Sequence, residues 1–170
     1  MNVSEKIDKC IESILPALIE IRHDLHAHPE LGYKETRTSN LIKKELTSAG
    51  VPFIENLAGG TGVLGHIDGE GNKAVGLRAD IDALPITEIN TFDWKSLHEG
   101  CMHACGHDGH TTILIGVVKV LSELAKESEL PHPVTFVFQP AEEGGGGGKR
   151  MVEDGCLDGS RIGPNVAVMY

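Results

Sequence analysis

The sequence predicts an α/β fold: a mainly parallel sheet with helices on both faces. Three observations carry this. Strand-like and helix-like segments alternate from residue 63 to the last residues. The connections between them are short, as sequential elements of one sheet require. The apolar runs read as strands, Val134-Thr135-Phe136-Val137-Phe138 most clearly.

The elements follow in order. From Glu5 to about His26, Ile7, Ile11, Ile14, Leu15, Leu18, Ile21 and Leu25 recur at three- and four-residue steps, a helical period. Pro16 within it is expected to kink the helix or split it in two. His28-Pro29-Glu30-Leu31-Gly32 breaks the pattern. A second helix is expected from about Thr36 to Ala49, with Leu41, Ile42 and Leu46 on one face and Gly50 as its stop. Gly59-Gly60-Thr61-Gly62 is a turn cluster. Val63–Ile67 reads as a strand and residues 68–72 as a hairpin loop. Lys73–Ala79 reads as a second strand, ending in Asp80-Ile81-Asp82, and residues 85–104 as loop. A long helix runs from about Gly109 or His110 to Lys126, with a wide apolar face. Val134–Phe138 is the clearest strand. Pro140-Ala141-Glu142-Glu143 and five consecutive glycines follow, then a short helix near Lys149–Asp154 and a last strand, Val166–Met169.

The chain has 170 residues, 40% of them hydrophobic and 24% charged, which is ordinary for one globular domain. Lys and Arg number 15 against 25 Asp and Glu, a formal net charge of −10. That balance argues against a nucleic-acid or anionic-membrane surface, which calls for clustered Lys and Arg. No apolar run approaches the roughly 20 residues of a membrane span. The polar start, MNVSEKIDKC, does not read as a secretory signal. Four irregularly spaced Cys do not form a disulfide framework, so the expected compartment is reducing, the cytoplasm.

In an α/β sheet, sites form at the carboxyl ends of strands. Three groups fall there. The segment from Cys101 to His110 packs two thiols and three imidazoles into ten residues, donors that suit zinc, manganese, cobalt or nickel. In an extended loop Cys105 and His107 point to one side, and Gly106 permits a tight turn between them. Glu142 and Glu143 follow the clearest strand. On an extended backbone they diverge, so one can ligate metal while the other serves as general base. Asp80 and Asp82 share one side of a strand end, where a carboxylate can orient a ligating His. Each has a plainer alternative: a polar loop with a buried Cys, an exposed acidic pair, and a loop-start Asp bonded to nearby amides. His23, His26 and His28 read as a polar cluster at a helix end. The glycine run lacks the Gly-Lys-Ser/Thr ending of a phosphate cradle. Cys10 and Cys156 read as packing residues.

Four ordered motifs, Arg22–Leu31, Leu77–Pro85, Met102–His110 and Gln139–Gly144, resemble those of amidohydrolases such as hippurate hydrolase, indole-acetyl-amino-acid hydrolase and N-acetyl-diaminopimelate deacetylase. These belong with the aminoacylase and carboxypeptidase group of co-catalytic metallopeptidases. The resemblance implies metal ligands at Cys105, His107 and Glu143, a water-activating base at Glu142, and Asp82 behind the metal centre, with Asp80 a weaker candidate. It implies two divalent ions, manganese or zinc, with nickel or cobalt as alternatives. The implied reaction is hydrolysis of the amide bond of a small-molecule N-acyl amino acid through a metal-activated water. A related metallo-dipeptidase, or a non-catalytic metal-binding paralogue, is the alternative. Family members are longer, adding a lid or dimerisation domain and a C-terminal catalytic part that supplies two more His ligands. Residues 1–170 are therefore expected to be the N-terminal part of an incomplete catalytic domain, and the full-length protein a homodimer or higher.

Overall fold

A computed structural model describes residues 2–128 and 130–170. The first helix, α1 (Val3–Ala27), opens on a capping box. The Asn2 side chain accepts from the Glu5 amide, and the Glu5 carboxylate accepts from the Asn2 amide. Pro16 does not divide it: α1 is one continuous helix of 25 residues. The second helix, α2 (Thr36–Ser48), ends one residue earlier than expected and is followed by Gly50 at a φ of 70°.

The strands are β1 (Phe53–Leu57), β2 (Gly62–Ile67), β3 (Ala74–Asp80), β4 (Val134–Gln139) and β5 (Val166–Met169). The remaining helices are α3 (His107–Glu127) and α4 (Gly147–Glu153). The sheet order is β1-β2-β4-β3-β5. β4 pairs parallel with β3, and β3 parallel with β5. β2 pairs antiparallel with both β1 and β4, so β2 alone runs against the rest. The hairpin expected across residues 68–72 does not form. Every residue of β4 is buried, and this strand lies between β2 and β3. A strand apolar on both faces belongs at the centre of a sheet, and that preference outweighs the local turn residues.

Alternation along β4 builds two cores. Phe136 and Phe138 face Ile42 and Leu46 of α2 and Leu114, Ile115 and Val118 of α3. Val137 faces the other way, against Met151 of α4, Leu64 and Cys156. Helices thus cover both faces. No helix among the described residues is long and apolar enough to cross a membrane. β3 and β4, being parallel neighbours joined through α3, deliver Asp80, the start of α3 and the residues after Gln139 to one rim.

Candidate metal centre

α3 begins earlier than its apolar pattern shows, so His107 is its first residue, not part of a loop. Gly106, at a φ of 87°, makes the turn into the helix, a conformation that glycine adopts without strain. Cys105 and His107 therefore meet across a left-handed turn rather than along an extended segment. His107 is buried, and its Nδ1 lies 2.9 Å from the Asp82 carbonyl oxygen and 3.2 Å from Asp82 Oδ1. Those acceptors fix the proton on Nδ1 and leave Nε2 free to ligate.

The Glu142-Glu143 pair converges instead of diverging. Ala141 has a left-handed φ of 51°, and the Gly144 amide donates to the Glu142 carbonyl at 2.8 Å. This turn brings Glu142 Oε2 to 4.0 Å and Glu143 Oε1 to 3.9 Å from His107 Nε2. The Glu143 amide donates to Asp82 Oδ2 at 3.0 Å. Asp82 thus braces both His107 and Glu143. The Cys105 thiol, His107 Nε2 and a Glu143 oxygen all lie within 4.8 Å of one another. The edge of a tetrahedron with metal–ligand bonds near 2 Å is about 3.4 Å, so modest closure suits this sulfur–nitrogen–oxygen set to a borderline divalent ion.

Asp80, His107 and His110 also bring donor atoms within 4.8 Å. One imidazole nitrogen serves one ion, so this set competes with the first for Nε2. Asp80 is already engaged: Arg78 Nη1 donates to its Oδ2 at 2.8 Å, and His110 Nδ1 lies 2.7 Å from its Oδ1. Among the described residues no Lys or Arg pairs with Glu142 or Glu143, and the geometry favours the Cys105 set.

The electrostatics agree. Burial raises the Asp82 carboxyl, but its hydrogen bonds with His107, Glu143 and Glu142 outweigh that and hold it below the usual carboxylate range. Burial works against charge on His107, yet the hydrogen bond to Asp82 and the Asp80 and Asp82 charges push it up. Cys105 is raised first by its hydrogen bond to Glu143, then by burial and the charges of Glu143, Asp80 and Glu142. His107 and Cys105 thus hold their protons without a cation, and binding a divalent ion there would release the Cys105 proton.

Beneath it lies a polar network that sequence reasoning missed. His26 is buried, not an exposed helix-end charge. Its Nδ1 is 2.5 Å from Asp108 Oδ2, its Nε2 is 3.0 Å from Glu88 Oε1, and Arg22 also pairs with Asp108. Glu88 further accepts from the Ser96 amide, tying the loop before the Cys/His segment to α1. His23 stacks on Trp94, with ring centroids 4.0 Å apart. His103 is buried and neither ring nitrogen has a partner among the described residues; burial lowers its pKa to about 4. The only sequence signal for any of this was the density of His in two segments.

A cavity of about 490 Å³ opens beside the centre, walled by Leu31, Tyr33, Leu84, Pro85 and Ala141, with Glu143 at its edge.

Comparison with known proteins gives the family and the fold. The model of peptidase family M20/M25/M40 matches residues 76–169. An uncharacterized hydrolase of Staphylococcus epidermidis is 48% identical over 137 residues, covering 81% of this chain and 35% of its own length. IAA-amino acid hydrolase ILR1-like 5 of Arabidopsis thaliana is 48% identical over 147 residues, covering 86% of this chain and 33% of its own. The chain thus spans about a third of the length of the curated relatives it matches. A Bacillus subtilis crystal structure, described as a dinuclear metal-binding peptidase from the M20 family, superposes with a TM-score of 0.83 at 37% identity, over 93% of this chain and 42% of that one. A putative aminohydrolase from methicillin-resistant Staphylococcus aureus gives 0.84 at 38%, over 94% and 40%. The matched residues 76–169 contain the whole Cys105–His107–Glu143 constellation, and the chain belongs to peptidase family M20/M25/M40.

Proposed function

We propose that the protein is a metal-dependent hydrolase of the amide bond in N-acyl amino acids, and that this chain is the N-terminal part of its catalytic domain. One observation carries the reading: Cys105, His107 and Glu143 present a thiol, an imidazole and a carboxylate within 4.8 Å, with Glu142 alongside. The relatives named as hydrolases of amino-acid conjugates support the substrate class, as do the apolar walls of the neighbouring cavity, which suit an aromatic or aliphatic acyl group.

Cys105, His107 and Glu143 would hold manganese or zinc, with nickel or cobalt as alternatives, two ions in the whole centre. When bound, such ions polarise the scissile carbonyl, acidify water and stabilise the oxyanion. Glu142, 42% exposed by side chain, faces the open side and accepts a proton from the attacking water. It then returns that proton to the departing nitrogen, so one water becomes the acid's hydroxyl and the amine's hydrogen. Asp82 fixes the His107 tautomer and the Glu143 backbone. The proposal includes a cytoplasmic location and a homodimer or higher.

Metal analysis together with assays on hippurate-like substrates tests the reading. Manganese- or zinc-dependent release of the free amino acid is expected. Full-length, metal-loaded protein that cleaves no acyl-amino acid would overturn it.

A further inference from the structure

We propose that Tyr33 and Glu35 form a two-point clamp that sets the Glu142–Glu143 turn and, through it, the affinity of the metal centre; the second half of this rests on the metal reading above. Glu35 occupies the N-cap position of α2, yet its carboxylate makes no cap there. Glu30 caps instead, accepting from the Arg37 and Thr38 amides at 3.0 and 2.8 Å. Glu35 is thereby released to the interior, where it is 0% exposed. Its Oε1 accepts from the Ala141 amide at 2.9 Å, and its Oε2 accepts from the Thr61 hydroxyl at 2.7 Å. Burying a carboxylate is costly, so this one is in place because its bonds hold something.

What it holds is a strained turn. Ala141 is a left-handed non-glycine residue, a conformation that persists only where its surroundings enforce it. Five consecutive glycines follow the acidic pair, and glycine imposes little local preference. At Gly147 an added Cβ would lie 1.7 Å from the Pro140 carbonyl oxygen, so the chain must fold back tightly there. Glu35 grips the turn before the pair. Tyr33 grips it after: its hydroxyl donates to the Gly145 carbonyl at 2.6 Å. The Arg150 guanidinium lies 4.4 Å from the Tyr33 ring centroid and steadies it. Among the described residues the side-chain hydrogen bonds of Tyr33 and Glu35 go to Gly145, Thr61 and Ala141 and not to Cys105, His107 or the two carboxylates, so they are positioning residues.

The test is amide hydrogen exchange of the metal-free protein, paired with manganese titration, for wild type, Glu35→Ala, Glu35→Gln and Tyr33→Phe. Glu35→Ala is expected to speed exchange of the 142–147 amides about tenfold or more without changing β4, and to weaken manganese binding about 10–100-fold. Glu35→Gln is expected to stay within about threefold of wild type. Its amide oxygen can take the Ala141 N–H and its nitrogen can donate to the Thr61 hydroxyl oxygen. Tyr33→Phe removes one hydrogen bond from a surface side chain and is expected to speed exchange about 3–10-fold at residues 144–146, even should Glu35→Ala fail to fold. Folded Glu35→Ala with wild-type exchange overturns the clamp. So does Glu35→Gln behaving like Ala, or Tyr33→Phe leaving exchange unchanged. Altered exchange with unaltered manganese affinity overturns the link to the metal. A full-length wild type that binds none of manganese, zinc, nickel or cobalt sinks the metal reading, while exchange still decides the clamp.

Discussion

Replacing Asp82 with Asn changes one atom of a buried side chain and sets two donors in conflict. Asp82 Oδ2 accepts the Glu143 amide at 3.0 Å, and Oδ1 lies 3.2 Å from His107 Nδ1. Asn supplies one acceptor oxygen. Its NH2 must then face either the Glu143 N–H, which loses its acceptor, or the Nδ1–H of His107, which keeps the residue-82 backbone carbonyl but leaves the new NH2 a buried donor without an acceptor. That costs about 1–3 kcal/mol. For a chain of this size the melting temperature falls by roughly 2–4 °C per kcal/mol, hence by about 2–12 °C. The Asp82 backbone carbonyl, 2.9 Å from Nδ1, survives the substitution and still orients His107. Metal affinity should therefore fall near the lower end of the range for such supporting bonds, about tenfold, or ~1.4 kcal/mol. Competition against a chelator at fixed neutral pH, alongside thermal unfolding of the metal-free protein, measures both numbers. Wild-type affinity together with a wild-type melting temperature would refute the bracing role.

Glu142→Gln should lower kcat by about 10²–10⁴-fold while manganese affinity stays within about threefold, and unchanged turnover would contradict its role as base. Leu46→Ala, at a side chain 1% exposed between α2 and the sheet, should cost about 2–5 kcal/mol in urea unfolding. A loss under about 1 kcal/mol would place that helix outside the core. Burial, opposed by hydrogen bonds from Thr61 and Ala141, holds the Glu35 carboxyl above its ordinary value of 4.5. The folded chain therefore binds this proton more tightly than the unfolded chain. The associated stability is fully present below 4.5 and is lost as pH rises through the folded value. Wild type should thus lose stability relative to Glu35→Gln as pH is raised from 4.5, and the opposite slope in paired denaturant titrations would contradict the burial argument.

Buried, continuous patterns were legible in the sequence; long-range pairings were not. β4 and β5 follow apolar runs, and α3 follows its period, though its first turn was hidden because His107, Asp108 and His110 are polar. β1 escaped notice because Phe53–Leu57 mixes polar with apolar residues, Asn56 has a positive φ, and the register with β2 shifts between Ile54 and Leu57. The β2–β3 loop looked like a hairpin because turn chemistry is local, whereas β4 enters between those strands from a distant part of the chain. The same division holds at the site. Cys105, His107, Glu142 and Glu143 stand out as dense donors at strand ends. Glu35 does not, because its partner Ala141 lies 106 residues away and nothing local marks the contact. The convergence of Glu142 and Glu143 likewise depends on the turn at Ala141 rather than on their own spacing.

Cobalt titration followed by absorption spectroscopy tests the central claim most directly, because a Cys105 thiolate on the metal gives a charge-transfer band that imidazole and carboxylate do not. The account predicts that the band grows to saturation in wild type and is lost in Cys105→Ser. Cobalt binding without the band, or a band that survives in Cys105→Ser, would contradict it.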